Sequence, residues 1–263
     1  MNYLVKFGVD VDSVKSIRTN AQEELKKHGI DVEINDSGLS ECFNLNIENP
    51  YKFTDLTYLK PHGGRAQIEA LCKQAIEVSS KMVCVHSIHI PLARKILSGS
   101  NVGIVTVESF PFGTSEEIGL IGSILRDFEI GVNEVDIVFP HHFMASEDYI
   151  GALAYLKMIR LGVDGVIKVI LETSDYESKK IAMMCLLVRA SGLDFVKTST
   201  GFSKGGAKVF DVALMRYCVG KDIGVKASGG IKTHEDAIKM IYAGANRIGA
   251  STLNEFSGVD SIY

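Results

Sequence analysis

GVIKVILETSDYESKKIAMMCLLVRASGLDFVKTST, residues 165–200, is the stretch on which the fold turns. A β-branched apolar run from Gly165 to Glu172 gives way to helical periodicity from Glu177 to Ala190, and a second apolar run follows from Phe195 to Thr200. Strand, helix and strand in that order is a βα repeat, and its strands lie parallel in one sheet.

The same alternation extends in both directions from about residue 54. Strands are expected at Leu56 to Lys60, Met82 to Ser87, Val102 to Ser109, Glu134 to Phe139, Gly224 to Ser228 and Asn246 to Ala250. Helices are expected at Ala66–Val78, Leu92–Leu97, Ser115–Ile130, Asp148–Leu161, Lys208–Val219 and Thr233–Tyr242. Thr233 with Asp236 makes a capping-box-like start, and Gly244 a stop. Eight such units and no second domain favour a closed (β/α)8 TIM barrel over an open doubly wound sheet. The barrel is assigned to residues 54–263 and an N-terminal extension to residues 1–53. In the extension, Val11, Val14, Ile17, Ala21 and Leu25 recur at helical spacing before Gly29. They read as an amphipathic helix packed on the barrel, with its N-terminal mouth as one location. Ile30 to Pro50 is open between a short strand, a loop and an interface element.

The composition is that of an ordinary soluble enzyme. The 263 residues are 46% hydrophobic and 23% charged with a net charge of −4. No basic excess points to nucleic acid. The apolar run from Val163 to Leu171 is broken by Asp164 and Lys168, far short of the roughly 20 residues a membrane helix needs. The N-terminus lacks the pattern of a secretory signal. Five widely spaced cysteines without a Cys-x-x-Cys read as buried, reduced thiols.

Four ionisable residues sit inside otherwise apolar strands: Asp136 in EVDIVF, Lys168 in VIKVILE, Lys197 in FVKTST and Lys226 in VKASGG. A charge there must be paired or neutralised. For any one lysine a structural ion pair is as good a reading as a chemical one. Three lysines with one carboxylate carry an excess of positive charge that a purely structural network would avoid. If barrel order follows sequence order, Lys197 lies between Lys168 and Lys226 on strands about 4.8 Å apart. Two ammonium groups about 6 Å apart repel by roughly 2 to 3 kcal/mol at an effective dielectric near 20, or about two pKa units. Lys197 is therefore expected to lose its proton most readily and to attack a carbonyl as a Schiff-base nucleophile. Asp136 and either Lys226 or Lys168 would handle protons, and all four are expected near the C-terminal ends of their strands. No cofactor or metal is needed for such chemistry.

Glycine-rich turns follow the last strands at Gly201, Gly205-Gly206, Gly229-Gly230 and Gly249-Ala250-Ser251-Thr252. Turns after strands seven and eight are the habitual phosphate site of this barrel, although glycine also serves turn geometry alone.

With these residues in view, the chain resembles the deoxyribose-phosphate aldolase family. The resemblance runs in order through DLTYLKP (55–61), VCVHSIHIPLA (83–93), EVDIVF (134–139), IKVILET (167–173), DFVKTSTGF (194–202), GVKASGGIKT (224–233) and AGANRIGAST (243–252). It implies reversible cleavage of 2-deoxy-D-ribose 5-phosphate to acetaldehyde and D-glyceraldehyde 3-phosphate. It implies Lys197 as the Schiff-base residue, Asp136 and Lys226 as proton relay and second essential lysine, and Lys168 as a further lysine near the site. It also implies a phosphate held by Gly201, Gly229, Gly230, Gly249, Ser251 and Thr252. Where some members carry a lysine after the glycine equivalent to Gly201, this chain has Phe202, and Lys204 or Arg247 would have to compensate. Tyr263 stands where a C-terminal tyrosine in some members folds over the site. The implied partner is a sugar phosphate, with a homodimer or higher homo-oligomer compatible with the fold.

Three rival readings stand beside this one. His86, His89, His141 and His142 follow strands two and four and raise a metal-dependent aldolase, but no His-x-x-x-His or His-Glu-x-x-His spacing accompanies them. A barrel that merely binds phosphorylated ligands would not need Asp136, Lys197 and Lys226 together. A lysine aldolase for a different sugar phosphate shares the chemistry and differs only in its acceptor.

Overall fold

In the computed structural model, which describes residues 3–43 and 47–252, eight parallel strands close into one barrel in sequence order. They are β1 (Thr54–Tyr58), β2 (Met82–Val85), β3 (Gly103–Glu108), β4 (Glu134–Val138), β5 (Val166–Ile170), β6 (Phe195–Lys197), β7 (Gly224–Ser228) and β8 (Arg247–Ala250). Closure runs through Thr54↔Ile248, Asp55↔Gly249 and Leu56↔Ala250. The helices are α1 (Tyr3–Lys6), α2 (Val11–Lys27), α3 (Arg65–Glu77), α4 (Ile90–Leu97), α5 (Glu117–Ile130), α6 (His141–Ala145), α7 (Tyr149–Gly162), α8 (Ser178–Ser191), α9 (Val209–Val219) and α10 (His234–Tyr242). The Thr233 hydroxyl accepts from Asp236 N at 3.1 Å, and Asp236 accepts from Thr233 N at 3.1 Å, so α10 begins on a full capping box.

Strand ends differ from the apolar runs where side chains take over the ladder. β6 stops at Lys197, short of the expected Thr200, because Thr198 Oγ1 donates to Ser228 O at 2.8 Å and accepts from Ser228 N at 2.9 Å. The next rung is thus made through a hydroxyl. The short α6 lies where only a loop was expected and is anchored by buried Met144. Between residues 30 and 50 the described chain forms a 3-10 turn at Leu39–Phe43, and another at Pro50–Phe53 starts on Asn49, whose side chain accepts from Tyr51 N at 2.9 Å.

The N-terminal helix does not lie across the barrel mouth. α2 buries Val14, Ala21 and Leu25 against α8 and α9 on the outer ring. Arg18 fastens its middle, with Nη1 2.7 Å from Asp36 Oδ1 and donating to Tyr217 O at 3.1 Å. The reason is visible in the covered helices. α8 is buried without interruption from Ile181 to Val188 and α9 from Asp211 to Val219. Helices buried on every side must be covered on both faces, and α2 supplies the outer cover. Each fully buried Val or Leu of α2 contributes about 1.5–3 kcal/mol as an upper figure. All five cysteines carry free thiols, four of them buried.

Candidate active site

Alternation along a strand sends residues two apart to the same face, and in this barrel that rule loads the interior with charge. Glu134 and Asp136 on β4, Lys168 on β5, Lys197 on β6, Lys226 on β7, Arg247 on β8 and Asp55 on β1 form one connected network. Asp136 is its hub. Its Oδ1 lies 2.8 Å from Lys168 Nζ, and its Oδ2 lies 2.8 Å from Lys197 Nζ and 2.9 Å from Lys226 Nζ. Lys168 also meets Glu134 Oε2 at 2.6 Å, and Lys226 meets Asp55 Oδ2 at 2.5 Å. Arg247 closes the base, with Nη1 2.9 Å from both Asp55 Oδ1 and Glu134 Oε2 and Nη2 3.1 Å from Glu134 Oε1. The Phe195 ring lies near both Lys168 and Arg247, at 5.8 Å and 5.5 Å.

The structure departs from the sequence expectation in two respects. First, Asp136, Lys168 and Lys226 sit at the middle of their strands, and only Lys197 ends one. The register explains it: Asp136 pairs with Lys168 and Lys197 with Lys226, but Lys168 pairs with Phe195, so Lys197 stands one step above Lys168. Second, Asp136, which all three lysines share, is not their only carboxylate, because Glu134 and Asp55 join it. Four cations face three carboxylates, leaving one positive charge in excess. Asp55 and Glu134 were not singled out from the sequence: Glu134 shares a strand face with Asp136 two residues on, whereas Asp55, beside Thr54 and Thr57, stands out from no apolar run.

Burial and charge set the protonation of this network in opposite directions. Burial alone would raise the Asp136 carboxyl, but Lys168, Lys197 and Lys226 outweigh it and hold Asp136 well below the usual carboxylate range. Asp55 is likewise lowered, with Lys226 and Arg247 overcoming its burial. Burial would lower Lys226, yet Asp136 and Asp55 raise it. Lys226 is therefore a fixed cation, with both of its carboxylates anionic.

Lys197 differs from its neighbours in two respects. It has one carboxylate partner where Lys168 and Lys226 have two, and it alone of the three lines a cavity of about 410 Å³ at the C-terminal mouth. Gly201, Gly229, Gly230, Gly249 and Ser251 line the same cavity, whereas Asp136, Lys168 and Lys226 lie beneath it. Thr252 is not among its lining residues. Gly206 packs on the Gly229 turn so tightly that a Cβ there would come within 2.2 Å of Gly229 O. Ala207 N donates to Ser228 O at 3.1 Å and to Gly229 O at 3.0 Å, tying the β6 and β7 loops together.

Arg247 cannot serve the cavity, because the base of the network holds it, and Lys204 is exposed away from the lining. The cations on the rim are Lys60 and Lys232, which were not singled out from the sequence. Both directly adjoin or fall within motif stretches (DLTYLKP and GGIKT), but only closure of β1 against β8 brings them to one opening. Phe202 is half-exposed on the lining, with Phe110 edge-on at 5.4 Å. His86 Nε2 lies 2.9 Å from Leu59 O, and His141 Nδ1 lies 2.9 Å from the Tyr176 hydroxyl. Among the described residues, no three His, Cys, Asp or Glu side chains are arranged to hold a metal ion. Tyr263 lies outside the described residues.

No protein-family profile matches the chain. Among curated proteins, it is 42% identical over 207 residues to the deoxyribose-phosphate aldolase of Thermoanaerobacter sp. (strain X514), covering 77% of this chain and 93% of that one. It is 40% identical over 205 residues to the deoxyribose-phosphate aldolase of Caldicellulosiruptor saccharolyticus, covering 76% and 93%. Among solved structures, the deoxyribose phosphate aldolase of Aeropyrum pernix, described as a unique tetramer, superimposes with a TM-score of 0.71 at 25% identity, covering 81% and 92%.

Proposed function

The chain belongs to the deoxyribose-phosphate aldolase family, and on that basis we propose that it cleaves 2-deoxy-D-ribose 5-phosphate reversibly through a Schiff base on Lys197. The observation that carries the reading is that Lys197 is the one lysine of the buried cluster that reaches the cavity, and it has the fewest carboxylate partners. Its proton leaves through Asp136 Oδ2, which is shared with Lys226. The free amine attacks the substrate aldehyde carbon, and water leaves to give an iminium. Loss of the C3 hydroxyl proton breaks the C2–C3 bond, sending its electron pair into the enamine and releasing glyceraldehyde 3-phosphate. Protonation at C2 and hydrolysis then release acetaldehyde and restore Lys197. Asp136 is the proton carrier, and Lys168 and Lys226 return it to its anionic form between transfers.

The phosphate is assigned to the glycine-lined side of the cavity, at Gly201, Gly229, Gly230, Gly249 and Ser251, with Thr252 following. Lys60 and Lys232 supply positive charge at the rim in place of a cation at Phe202. We further assign residues 1–53 to an extension and 54–263 to the barrel, in a cytoplasmic protein. No helix among the described residues is long and apolar enough to cross a membrane. Homo-oligomer formation is supported by the tetrameric structure of the Aeropyrum pernix relative.

The test is borohydride trapping with 2-deoxyribose 5-phosphate followed by mass mapping, in the native chain and in Lys197→Ala. A reduced adduct on the Lys197 peptide, absent from the variant, is expected. Turnover without any adduct would overturn the reading.

A further inference from the structure

A buried carboxylate outside the reaction described above lies under the segment joining Lys197 to Gly201. Glu172 is 5% exposed and has φ 53°, in the left-handed region that a residue with a Cβ rarely adopts. Such a conformation persists where the surroundings hold it, and here they do so on both sides. Leu171 N donates to Lys197 O at 2.8 Å, and Thr173 N donates to Thr198 O at 2.9 Å. The strained residue is thus clamped to the segment that carries the nucleophile.

Its side chain reaches the same segment. Glu172 Oε2 accepts from Thr200 N at 3.1 Å and also from the Thr200 hydroxyl. Thr200 Oγ1 in turn accepts from Phe202 N at 3.0 Å. Carboxylate, hydroxyl and amide form a relay that fixes residues 200 to 202, which are part of the cavity wall. The other oxygen, Oε1, is buried and makes no hydrogen bond.

We propose that Glu172 is a positioning residue for the acceptor half of the reaction: by holding Thr200 it sets the spacing between the Lys197 amine and the phosphate-binding turn at Gly201. The proposal rests on Lys197 being the Schiff-base nucleophile. The two halves of the reaction use this spacing differently. Acetaldehyde needs only Lys197 and Asp136, whose geometry comes from β4 to β7. The three-carbon phosphate must span from Lys197 to the turn that Glu172 braces. A misplacement of the order of 1 Å costs about 100-fold when it separates groups that act together.

The full chain is measured as native, Glu172→Ala, Glu172→Asp and Glu172→Gln. Readouts are cleavage kinetics with 2-deoxyribose 5-phosphate, exchange of acetaldehyde methyl protons with deuterated water followed by NMR, and thermal unfolding. E172A and E172D, the latter too short to reach Thr200, are expected to raise KM for the sugar phosphate about tenfold or more, while exchange stays within about threefold of native. E172Q, whose amide oxygen can accept both Thr200 hydrogens, is expected to return KM to within about threefold. If cleavage and exchange fall in equal proportion, or KM is native in E172D, the proposal is overturned. Should E172A fail to fold, E172D and E172Q decide the matter. A native chain that exchanges no acetaldehyde protons overturns the Lys197 reading and this proposal with it. The silent native control distinguishes that outcome from a failure of Glu172 alone.

Discussion

Replacing Asp136 with Asn removes the hub of the buried network and leaves its cations in place. Three ammonium groups lie within 2.9 Å of this carboxylate. Unit charges about 4 Å apart interact by about 4 kcal/mol at an effective dielectric of 20. The three losses are not equal, because Lys168 keeps Glu134 and Lys226 keeps Asp55, while Lys197 keeps no carboxylate. The expected net loss at pH 7 is about 3–5 kcal/mol, the cost of leaving a buried charge uncompensated. Its pH dependence has a definite sign. A buried lysine deprived of its carboxylate has a folded pKa below its unfolded value of about 10.4. The unfolded chain then binds more protons in that window, so the variant gains stability as pH rises. In the native chain Asp136 and Asp55 raise Lys226 against its burial, so its stabilisation is fully present below the unfolded lysine value and does not grow on the way up. Urea unfolding followed by circular dichroism at pH 7 and about pH 9.5 should show the variant recovering about 1–3 kcal/mol. A loss below about 1 kcal/mol at pH 7, or one that does not shrink at the higher pH, would refute the account. The lysines would then be neutral in the native barrel, and Asp136 would not hold them charged.

Two further outcomes follow from the same geometry. Gly206→Ala puts a Cβ 2.2 Å from Gly229 O, which is backbone and cannot swing aside, so the β6 and β7 loops must part. Steady-state kinetics should show KM for the sugar phosphate raised about tenfold or more, with a stability loss of about 1–3 kcal/mol and imine trapping with acetaldehyde retained. Glu108, at the end of β3, is pushed up to about 7 by burial and by Asp127, which faces it from α5. Because the folded value exceeds the unfolded one, Glu108 supports the fold while protonated, and that support is lost as pH rises from about 4.5 through about 7. Glu108→Gln should therefore be more stable than the native chain at pH 8, by about 1–2 kcal/mol after solvent screening, with no gain near pH 5, as read from urea midpoints.

The barrel was legible because its information is local. The βα alternation from residue 54 onward, and the order in which strands are met, are properties of neighbours a few residues apart. Parallel strands with short connections then leave few topologies open. The same periodicity marked Asp136, Lys168, Lys197 and Lys226 as charges inside apolar strands, and the motifs around them resembled one family. What the local pattern could not carry was who pairs with whom. Arg247 reaches Asp55 across 192 residues only because β8 closes on β1. That closure takes Arg247 away from the mouth, adds Asp55 and Glu134 to the charge balance, and brings Lys60 and Lys232 to one rim. The place of α2 was likewise a tertiary matter. Its own periodicity specifies an apolar face, but α8 and α9, buried on every side, determine where that face is needed. Periodicity assigns a residue to the inside or the outside; the charge it meets there depends on strands far away in sequence, and only the closed barrel brings them together.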